Sequence, residues 1–285
     1  MGKNLIKIGE KKIGFGHPTF IIAEVGINHN GNIDEAKSLI RAAKKSGADA
    51  VKLQTYITEQ RVPKEHPVFD ILKKCELSFN EQEDLFKYGE ELDILVFSTP
   101  FDEESINFLE SINCQLYKIA SFDTVNKKLL RNLGATNKPL IMSTGMTSQS
   151  ELGAAWSALG GEKDGRGCEL ALLHCVSSYP LEDTRANLNA INLLQEIHSG
   201  PVGYSDHTIG IQIPVLGVAA GAQIIEKHFT SNIKQDGPDH AMSADPKILK
   251  DLVEKIRWLE QVIGERSMGM REAESNTSSF RRYTE

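Results

Sequence analysis

The sequence has few cysteines, and their spacing does not suit a disulfide framework or a metal knuckle. The four cysteines among the 285 residues are Cys75, Cys114, Cys168 and Cys175, with no C-x-x-C pair. Cysteines this sparse are typical of a reduced chain, so we expect a cytoplasmic protein. Cys114 and Cys175 lie beside apolar runs and are expected to be small core residues.

The sequence also lacks long apolar runs and blocks of basic residues. Its longest apolar segment, around Ile209–Ala222, is interrupted by Gly and Pro and is too short to span a bilayer. The first residues, MGKNLIKIGEKKIG, are charged throughout, so no signal peptide is expected. The formal net charge is −7 and the basic residues are scattered, which argues against nucleic acids and acidic membranes as partners. An anionic ligand would therefore need a locally positive pocket.

The sequence does contain a repeated alternation of short apolar runs and amphipathic segments. Eight runs predict buried strands: 20–26, 50–56, 94–101, 116–121, 139–145, 170–176, 202–207 and 224–230. Helical patterns follow them, with predicted bounds near 81–92, 103–112, 126–133, 148–159, 187–198 and 246–263. Two more are an amphipathic segment that ends at Gly47 and an apolar, alanine- and glycine-rich segment between the last two strands. Eight βα units over about 245 residues predict a (β/α)₈ TIM barrel. A doubly wound open sheet is the alternative, which the regular repeat and the lack of a G-x-G-x-x-G fingerprint disfavour.

Three segments lie outside this alternation. Residues Leu5–Ile13 predict a short hairpin that turns near Gly9, and Thr58–Ser78 form an insertion with room for one short helix. Residues 272–285 lose periodicity and are expected to be a linker or a frayed end. We therefore expect one barrel domain over residues 1–271.

Polar side chains gather at the carboxyl ends of the predicted strands, where TIM barrels place their active sites. Those ends carry Glu24, Lys52, Gln54, Ser98, Thr99, Lys118, Ser121, Ser143, Thr144, His174, Ser177, Ser205, His207, Glu226 and His228. A lysine among apolar residues is costly to bury unless it is paired or bound to an anion. Lys52 and Lys118, with nearby serines, therefore predict a cradle for phosphate and carboxylate. Ion pairs with glutamates and a Schiff-base aldolase remain as alternatives.

His207 and His228 lie on the last two predicted strands and converge if those strands are neighbours. Two histidines do not make a closed zinc site, which needs four protein ligands. They suit an open divalent ion such as Mn²⁺, completed by water and substrate oxygens. The alternative is a pair of hydrogen-bonded histidines near strand ends. Of the other histidines, His17, His66 and His198 are expected to be surface or loop residues and His174 a core residue, while His29 is left open.

Nine segments, taken together, resemble the sialic acid synthase family over about residues 18–270. They are IIAEVGINHNG, VKLQTY, FSTPF, YKIASFD, MSTGM, LLHCVSSYP, GYSDHTIG, EKHFT and GPDHAMSADP. Members of this family condense phosphoenolpyruvate with N-acetylmannosamine or a related aldose, releasing phosphate and forming a nine-carbon 2-keto-3-deoxy acid. The resemblance implies the same class of reaction here.

The resemblance also implies roles for individual residues. The phosphoenolpyruvate ligands would be Lys52, Thr99, Lys118, Ser121, Ser143 and Ser205. The ligands of a divalent metal, Mn²⁺ with Mg²⁺ or Co²⁺ as alternatives, would be His207 and His228. The sugar side would comprise Gln54, Asp123, Ser177, Tyr179 and Asp239. The catalytic set would be Glu24, Lys52, Asp123, His207 and His228.

Two of these positions depart from the family pattern, which leaves the identity of the sugar open. Asp123 stands where many members have Glu, and Ser177 stands where Asn can occur. The GPDHAMS segment is closer to the sialic and legionaminic branch than to the pseudaminic branch. A pseudaminic or phosphorylated-sugar synthase and a catalytically silent sugar-binding barrel remain alternatives.

The family resemblance further implies a homodimer. Many members continue into a small antifreeze-protein-like domain that covers the active site of the partner subunit. This sequence stops at Glu285, about where the linker to that domain would begin. We therefore expect a barrel that lacks this cover.

Overall fold

A computed structural model describes residues 4–161, 169–265 and 267–282. A short antiparallel hairpin, β1 (Ile6–Ile8) and β2 (Lys11–Ile13), precedes the main sheet. It turns at Gly9, whose φ of +56° favours glycine. The backbone N–H of Asn4 donates to the carbonyl of Ser199 over 2.9 Å, so the hairpin packs at the amino-terminal end of the barrel. The predicted hairpin is confirmed.

The main sheet is a closed barrel of eight parallel strands, as predicted. Its strands are β3 (Phe20–Gly26), β4 (Ala50–Thr55), β5 (Leu95–Pro100), β6 (Tyr117–Ile119), β7 (Leu140–Ser143), β8 (Leu170–His174), β9 (Val202–Asp206) and β10 (Ile224–His228). Each strand pairs with the next along the chain, and β10 closes the barrel against β3. The closing register sets Ile224 opposite Phe20 and His228 opposite Glu24.

Helices connect the strands and cover the outside of the barrel. They are α1 (Ile33–Lys45), α2 (Thr58–Arg61), α3 (Phe69–Cys75), α4 (Phe79–Glu91), α5 (Glu103–Ser111), α6 (Lys127–Ala135), α7 (Gln149–Ala158), α8 (Asn189–Ile197), α9 (Gln212–Ala219) and α10 (Pro246–Ile263). Local caps fix several starts: Asn32 accepts two backbone N–H groups of α1, and Ser78 forms a capping box with Glu81. Observed bounds lie within about two residues of the predicted ones, which is the usual uncertainty of helix ends.

The insertion after β4 contains two short helices, α2 and α3, so the expectation of one helix is wrong. Helices of four and seven residues are too short to show a clear period. A small buried cluster of Ile27, Tyr56, Leu72 and Cys75 holds them. The Tyr56 hydroxyl also donates to the Leu72 carbonyl over 2.9 Å. The insertion is thus an ordered wall at the carboxyl ends of the strands.

His198 lies in the loop that follows α8, one of the two places expected for it, but it is not at the surface. This histidine is buried, with Nε2 2.8 Å from the Leu170 carbonyl and its ring 4.8 Å from that of Trp156. His174 is a core residue as predicted, bonded to the Ala186 carbonyl over 2.8 Å. His29, which the sequence left open, is buried and accepts the backbone N–H of Gly31.

The segment after α10 adds nothing to the barrel core. Glu272–Phe280 form a 3₁₀ helix in which no residue is buried. Residues 283–285 of the expected tail, like Cys168, lie outside the described residues. Within the described ranges, no helix is long and apolar enough to cross a membrane.

Candidate active site

A cavity of about 600 Å³ opens at the carboxyl ends of the barrel strands. Most of the predicted site residues line it: Glu24, Lys52, Gln54, Thr99, Lys118, Ser121, Asp123, Ser143, Tyr179, Ser205, His207, His228 and Asp239. Ser177 is not a lining residue. The fold therefore brings together side chains that are scattered over more than 200 residues of sequence.

The alternation of side chains along a strand decides which of these groups reach the cavity. On β10, Glu226 and His228 line the cavity, whereas Lys227 between them is buried on the other face and pairs with Asp206. The register places Glu226 beside Ser205 of the neighbouring strand, and the Ser205 hydroxyl donates to Glu226 over 2.9 Å.

Two buried lysines lie on the floor of the cavity, and each contacts a hydroxyl group. Lys52 Nζ donates to Thr99 Oγ1 over 3.2 Å, and Lys118 Nζ donates to Ser143 Oγ over 2.6 Å. Ammonium and hydroxyl groups facing one space form the donor set that a phosphate or carboxylate requires.

The same lysines contact two buried glutamates. Lys52 Nζ lies 2.9 Å from Glu24 Oε2 and 3.7 Å from Glu226 Oε2, and Lys118 Nζ lies 3.9 Å from Glu226 Oε1. The sequence left ion pairing and a place in the cavity as alternatives for these lysines. Both are observed, because each lysine contacts a glutamate and also lines the cavity. We call Glu24, Lys52, Lys118 and Glu226 the floor cluster.

Burial and mutual charge set the protonation of the floor cluster. Burial, reinforced by the neighbouring Glu226 charge, raises the pKa of Glu24 to about 7 despite the nearby Lys52. Burial would also raise the pKa of Glu226, but Lys118 and Lys52 lower it to about 2. Burial lowers the pKa of Lys118, whereas Glu226 and Glu24 outweigh burial and raise that of Lys52. Glu24 is therefore the floor group that can exchange a proton near neutral pH.

One wall of the cavity requires a glycine. The backbone N–H of Gly145 donates to Ser121 Oγ over 3.0 Å. A Cβ at this position would lie 2.5 Å from Ser177 Oγ and 2.9 Å from both Ser121 Oγ and Cys175 Sγ. No side chain fits there, and Ser177 packs behind this wall beside Gly145.

His207 and His228 approach each other beside the floor cluster, with ring centroids 5.7 Å apart. His207 Nδ1 lies 2.8 Å from the Val176 carbonyl, which fixes a tautomer with Nε2 free to bind a ligand. Among the described residues, the buried Nδ1 of His228 has no hydrogen-bond partner, and Asp239 Oδ2 is 3.8 Å away. Burial lowers the pKa to about 4 for His207 and, reinforced by Lys52, to about 3 for His228, so both rings are neutral near pH 7.

This pair fits an open metal site better than a closed one. Neutral imidazoles are metal ligands, and the orphaned Nδ1 of His228 is a donor atom with nothing to bind. In the part of the chain that the structure describes, no group of three or more His, Cys, Asp or Glu side chains surrounds a common point. An ion bound here would rely on water or substrate for its other ligands.

The rim of the cavity has a different character from the floor. It carries Arg61 from the insertion, Gln54 from β4, and the carboxyl groups of Asp123 and Asp239. Gln54 Nε2 donates to Glu24 Oε1 over 3.3 Å, and its Oε1 accepts from Arg61 Nη1 over 3.0 Å. Burial raises the pKa of both aspartates. A single polar chain thus connects the rim to the floor cluster.

Several groups in this cavity have no ligand or catalytic role in the sequence analysis, among them Arg61, Cys175 and Glu226, although Glu226 is named there as a strand-end residue. Glu226 shares a strand face with His228, so the spacing that selected the histidine also contained the glutamate. Cys175 matches the expectation of a small buried residue but also lines the cavity. Arg61 could not be placed because its helix has only four residues.

Together, the fold and the cavity define a (β/α)₈ barrel protein whose strands end at a cavity lined by buried lysines, hydroxyl groups and two histidines. The sequence model of the NeuB family matches residues 39–268. The chain therefore belongs to the NeuB family.

Individual relatives agree with this membership. The chain is 47% identical to an uncharacterized protein of Methanocaldococcus jannaschii over 91% of this chain and 76% of that one. It is 41% identical to the N,N'-diacetyllegionaminic acid synthase of Legionella pneumophila, over 93% and 78%. Among solved structures, N-acetylneuraminic acid (sialic acid) synthetase of Leptospira borgpetersenii, in complex with citrate, superposes with a TM-score of 0.93 at 37% identity. That match covers 98% of this chain and 96% of the other.

Proposed function

We propose that this protein condenses phosphoenolpyruvate with an N-acetylated aldose, N-acetylmannosamine or a close relative, to give a nine-carbon 2-keto-3-deoxy acid and phosphate. The observation that carries the proposal is the pair of buried lysines beside two neutral histidines in one cavity. The named synthases among the relatives, which make legionaminic and neuraminic acids, support the same class of reaction.

In this proposal the floor of the cavity binds phosphoenolpyruvate. Lys52 and Lys118 contact its phosphate and carboxylate, and Thr99, Ser121, Ser143 and Ser205 donate hydroxyl groups. Because the lysines are buried, their charges are weakly screened and interact strongly with the developing charge on phosphate. The 3.7–3.9 Å separations to Glu226 leave the lysine N–H groups room to turn toward an incoming anion.

The histidines would hold a divalent ion, Mn²⁺ in our proposal with Mg²⁺ or Co²⁺ as alternatives. When bound, such an ion supplies Lewis-acid polarisation of the aldehyde oxygen. His207 is oriented for this role by its bond to the Val176 carbonyl, and Asp239 lies beside His228. On the sugar side, Gln54, Asp123, Tyr179 and Asp239 orient the open-chain aldose.

Bond formation and proton transfer then follow in order. Carbon 3 of phosphoenolpyruvate forms a bond to the aldehyde carbon, and the aldehyde oxygen takes up a proton to become a hydroxyl. A water adds at carbon 2 and loses a proton to Glu24, whose pKa of about 7 suits a general base at neutral pH. Collapse of the tetrahedral intermediate breaks the bond between carbon 2 and the phosphate oxygen. The departing phosphate takes the proton of the new carbon 2 hydroxyl, and the 2-keto acid remains.

The test is a panel of aldoses offered with phosphoenolpyruvate and Mn²⁺, followed by detection of phosphate and of the keto acid. We expect equal amounts of both products from an N-acetylated hexose. Binding of phosphoenolpyruvate with no phosphate release from any aldose would indicate a silent barrel. Trapping of a lysine adduct by borohydride without phosphate release would instead favour the Schiff-base alternative.

The homodimer stays a prediction, as does the identity of the metal. Sedimentation of the purified chain tests the first. Reconstitution of the metal-free protein with each ion tests the second.

A further inference from the structure

The insertion after β4 places one arginine at the rim of the cavity and fixes it there. Arg61 is the last residue of α2, and its guanidinium carbon lies 3.6 Å from the ring centroid of Phe101 and 4.7 Å from that of Tyr56. Its Nη1 donates to Gln54 over 3.0 Å. A guanidinium held between aromatic rings has little freedom left to lose when it binds a ligand.

Arg61 retains unused hydrogen-bonding capacity. A guanidinium has five N–H donors, and Gln54 accepts from Nη1. No acceptor among the described residues bonds to the other donors of Arg61. These donors belong to a lining residue, so a ligand in the cavity can reach them.

The rest of this wall is largely apolar, with Gln60 and His66 as its other polar side chains. The insertion also contributes these lining side chains: Val62, Val68, Ile71 and Leu72. Val68 and Ile71 are 39% and 42% exposed, so they present apolar surface to the opening. A fixed donor beside an apolar surface matches an acyl group, which has a carbonyl oxygen at one side and a methyl group at the other.

We propose that Arg61 and this apolar wall form the subsite for the N-acyl substituent of an unphosphorylated acceptor sugar, an assignment that rests on the proposed function. Arg61 donates to the acyl carbonyl, and the methyl group packs against the insertion. The floor lysines bind phosphoenolpyruvate in the proposed function. Among the described rim residues, Arg61 is then the side chain with a permanent positive charge, and it faces the carboxyl groups of Asp123 and Asp239. A phosphate monoester would add about two negative charges to this acidic rim.

The experiment compares the wild type with R61A and R61K, using phosphoenolpyruvate and three acceptors: N-acetylmannosamine, mannose, and the 6-phosphate of N-acetylmannosamine. We expect R61A to raise KM for the N-acyl sugar by roughly 10- to 150-fold, since a charge-assisted hydrogen bond is lost. The KM of R61A for phosphoenolpyruvate should stay within about twofold of the wild-type value. The KM of R61K for the N-acyl sugar should lie between those of the wild type and R61A, because lysine keeps the charge but not the planar fork. The wild type should prefer the unphosphorylated sugar.

Arg41 provides a matched control. It also stacks on an aromatic ring, with its guanidinium carbon 5.7 Å from the Tyr88 centroid, and it donates to the Tyr88 hydroxyl over 2.7 Å. It does not line the cavity, so R41A should leave every constant unchanged. An effect of R61A on mannose as large as on the N-acyl sugar, or a wild-type preference for the phosphorylated acceptor, would overturn the subsite.

The outcomes also separate the two proposals. If the wild type turns over an aldose and R61A has wild-type constants, the subsite fails and the proposed function stands. If the wild type turns over none of the acceptors, both fail. Unaltered phosphoenolpyruvate binding by R61A, measured calorimetrically, shows that the variant is folded.

Discussion

The two faces of strands β9 and β10 carry buried charges in contrasting arrangements. On the outer face, Lys227 Nζ lies 2.6 Å from Asp206 Oδ2 and also donates to the Thr208 carbonyl. The other oxygen of Asp206 accepts the backbone N–H and the hydroxyl of Thr208. On the inner face, Lys52 and Lys118 lie 3.7 and 3.9 Å from Glu226.

This difference distinguishes a structural ion pair from the proposed binding site. The outer pair is completed by the protein, so no ligand is needed to satisfy it. The inner cluster is also buried, but its ion pairs to Glu226 are long, and the buried Oε2 of Glu226 accepts no hydrogen bond from the described residues. Lys52 has a close partner in Glu24 at 2.9 Å, so Glu226 is the member of the inner cluster whose pairing is incomplete.

The largest expected effect is on the outer face. K227M leaves the Asp206 carboxylate buried and unpaired, which costs about 3–5 kcal/mol of stability. Urea unfolding of K227M and of the double variant D206L/K227M tests this, because removing both charges should restore most of the loss. A single variant within about 1 kcal/mol of the wild type would show that the outer pair is not structural.

The next effect concerns Glu24 and the pH dependence of stability. Its pKa is about 7 in the folded chain and 4.5 ordinarily, so the folded state holds an extra proton between these values. Ionising Glu24 as the pH rises through this window removes stability, on the order of 2–3 kcal/mol in total. E24Q should therefore be more stable than the wild type at pH 8 and similar to it at pH 4.

Unfolding curves of metal-free E24Q and wild type at both pH values make this comparison. A difference that is the same at pH 4 and pH 8 would contradict the raised pKa.

We expect Lys118 to contribute to ligand binding and not to stability, which is the reverse of Lys227. Burial lowers its pKa, which means that the fold disfavours its charge, so K118M should keep or gain stability. Its binding of phosphoenolpyruvate should weaken by about 1.5–3 kcal/mol, the contribution of a hydrogen bond to a charged group. Calorimetric titration and urea unfolding of the same variant give both quantities. Loss of stability with intact binding would place Lys118 in the structural class.

The smallest change in stability is expected on metal removal. The proposed metal would have two protein ligands, and the described residues include no larger ligand group, so we expect the fold not to depend on it. A chelator should abolish turnover and leave Tm unchanged within error. A clear drop in Tm on chelation would show that the histidine pair holds the barrel together.

The sequence predicts the barrel well because each strand is buried on both faces and each helix has its own apolar stripe. It predicts the floor because polar residues at strand ends must point to the same opening. The burial of His198 does not follow from its loop position, because its partners, the Leu170 carbonyl and the Trp156 ring, come from distant segments. The position of Arg61 in the cavity could not be predicted either, because it is set by contacts with Phe101 and Gln54 and not by its neighbours in the chain.

The closure of β10 against β3 has a consequence for synthesis of the chain. Glu24 and His228 are neighbours in the sheet, yet the ribosome adds His228 about 200 residues later. At roughly 5–20 residues per second, that interval is about 10–40 s. During this time β3 has a free edge, and Lys52 has Glu24 but not Glu226 for a partner. A nascent chain released before Ile224–His228 would therefore carry the floor cluster without Glu226 and an unpaired strand, a form expected to aggregate or to be degraded before it could bind a substrate.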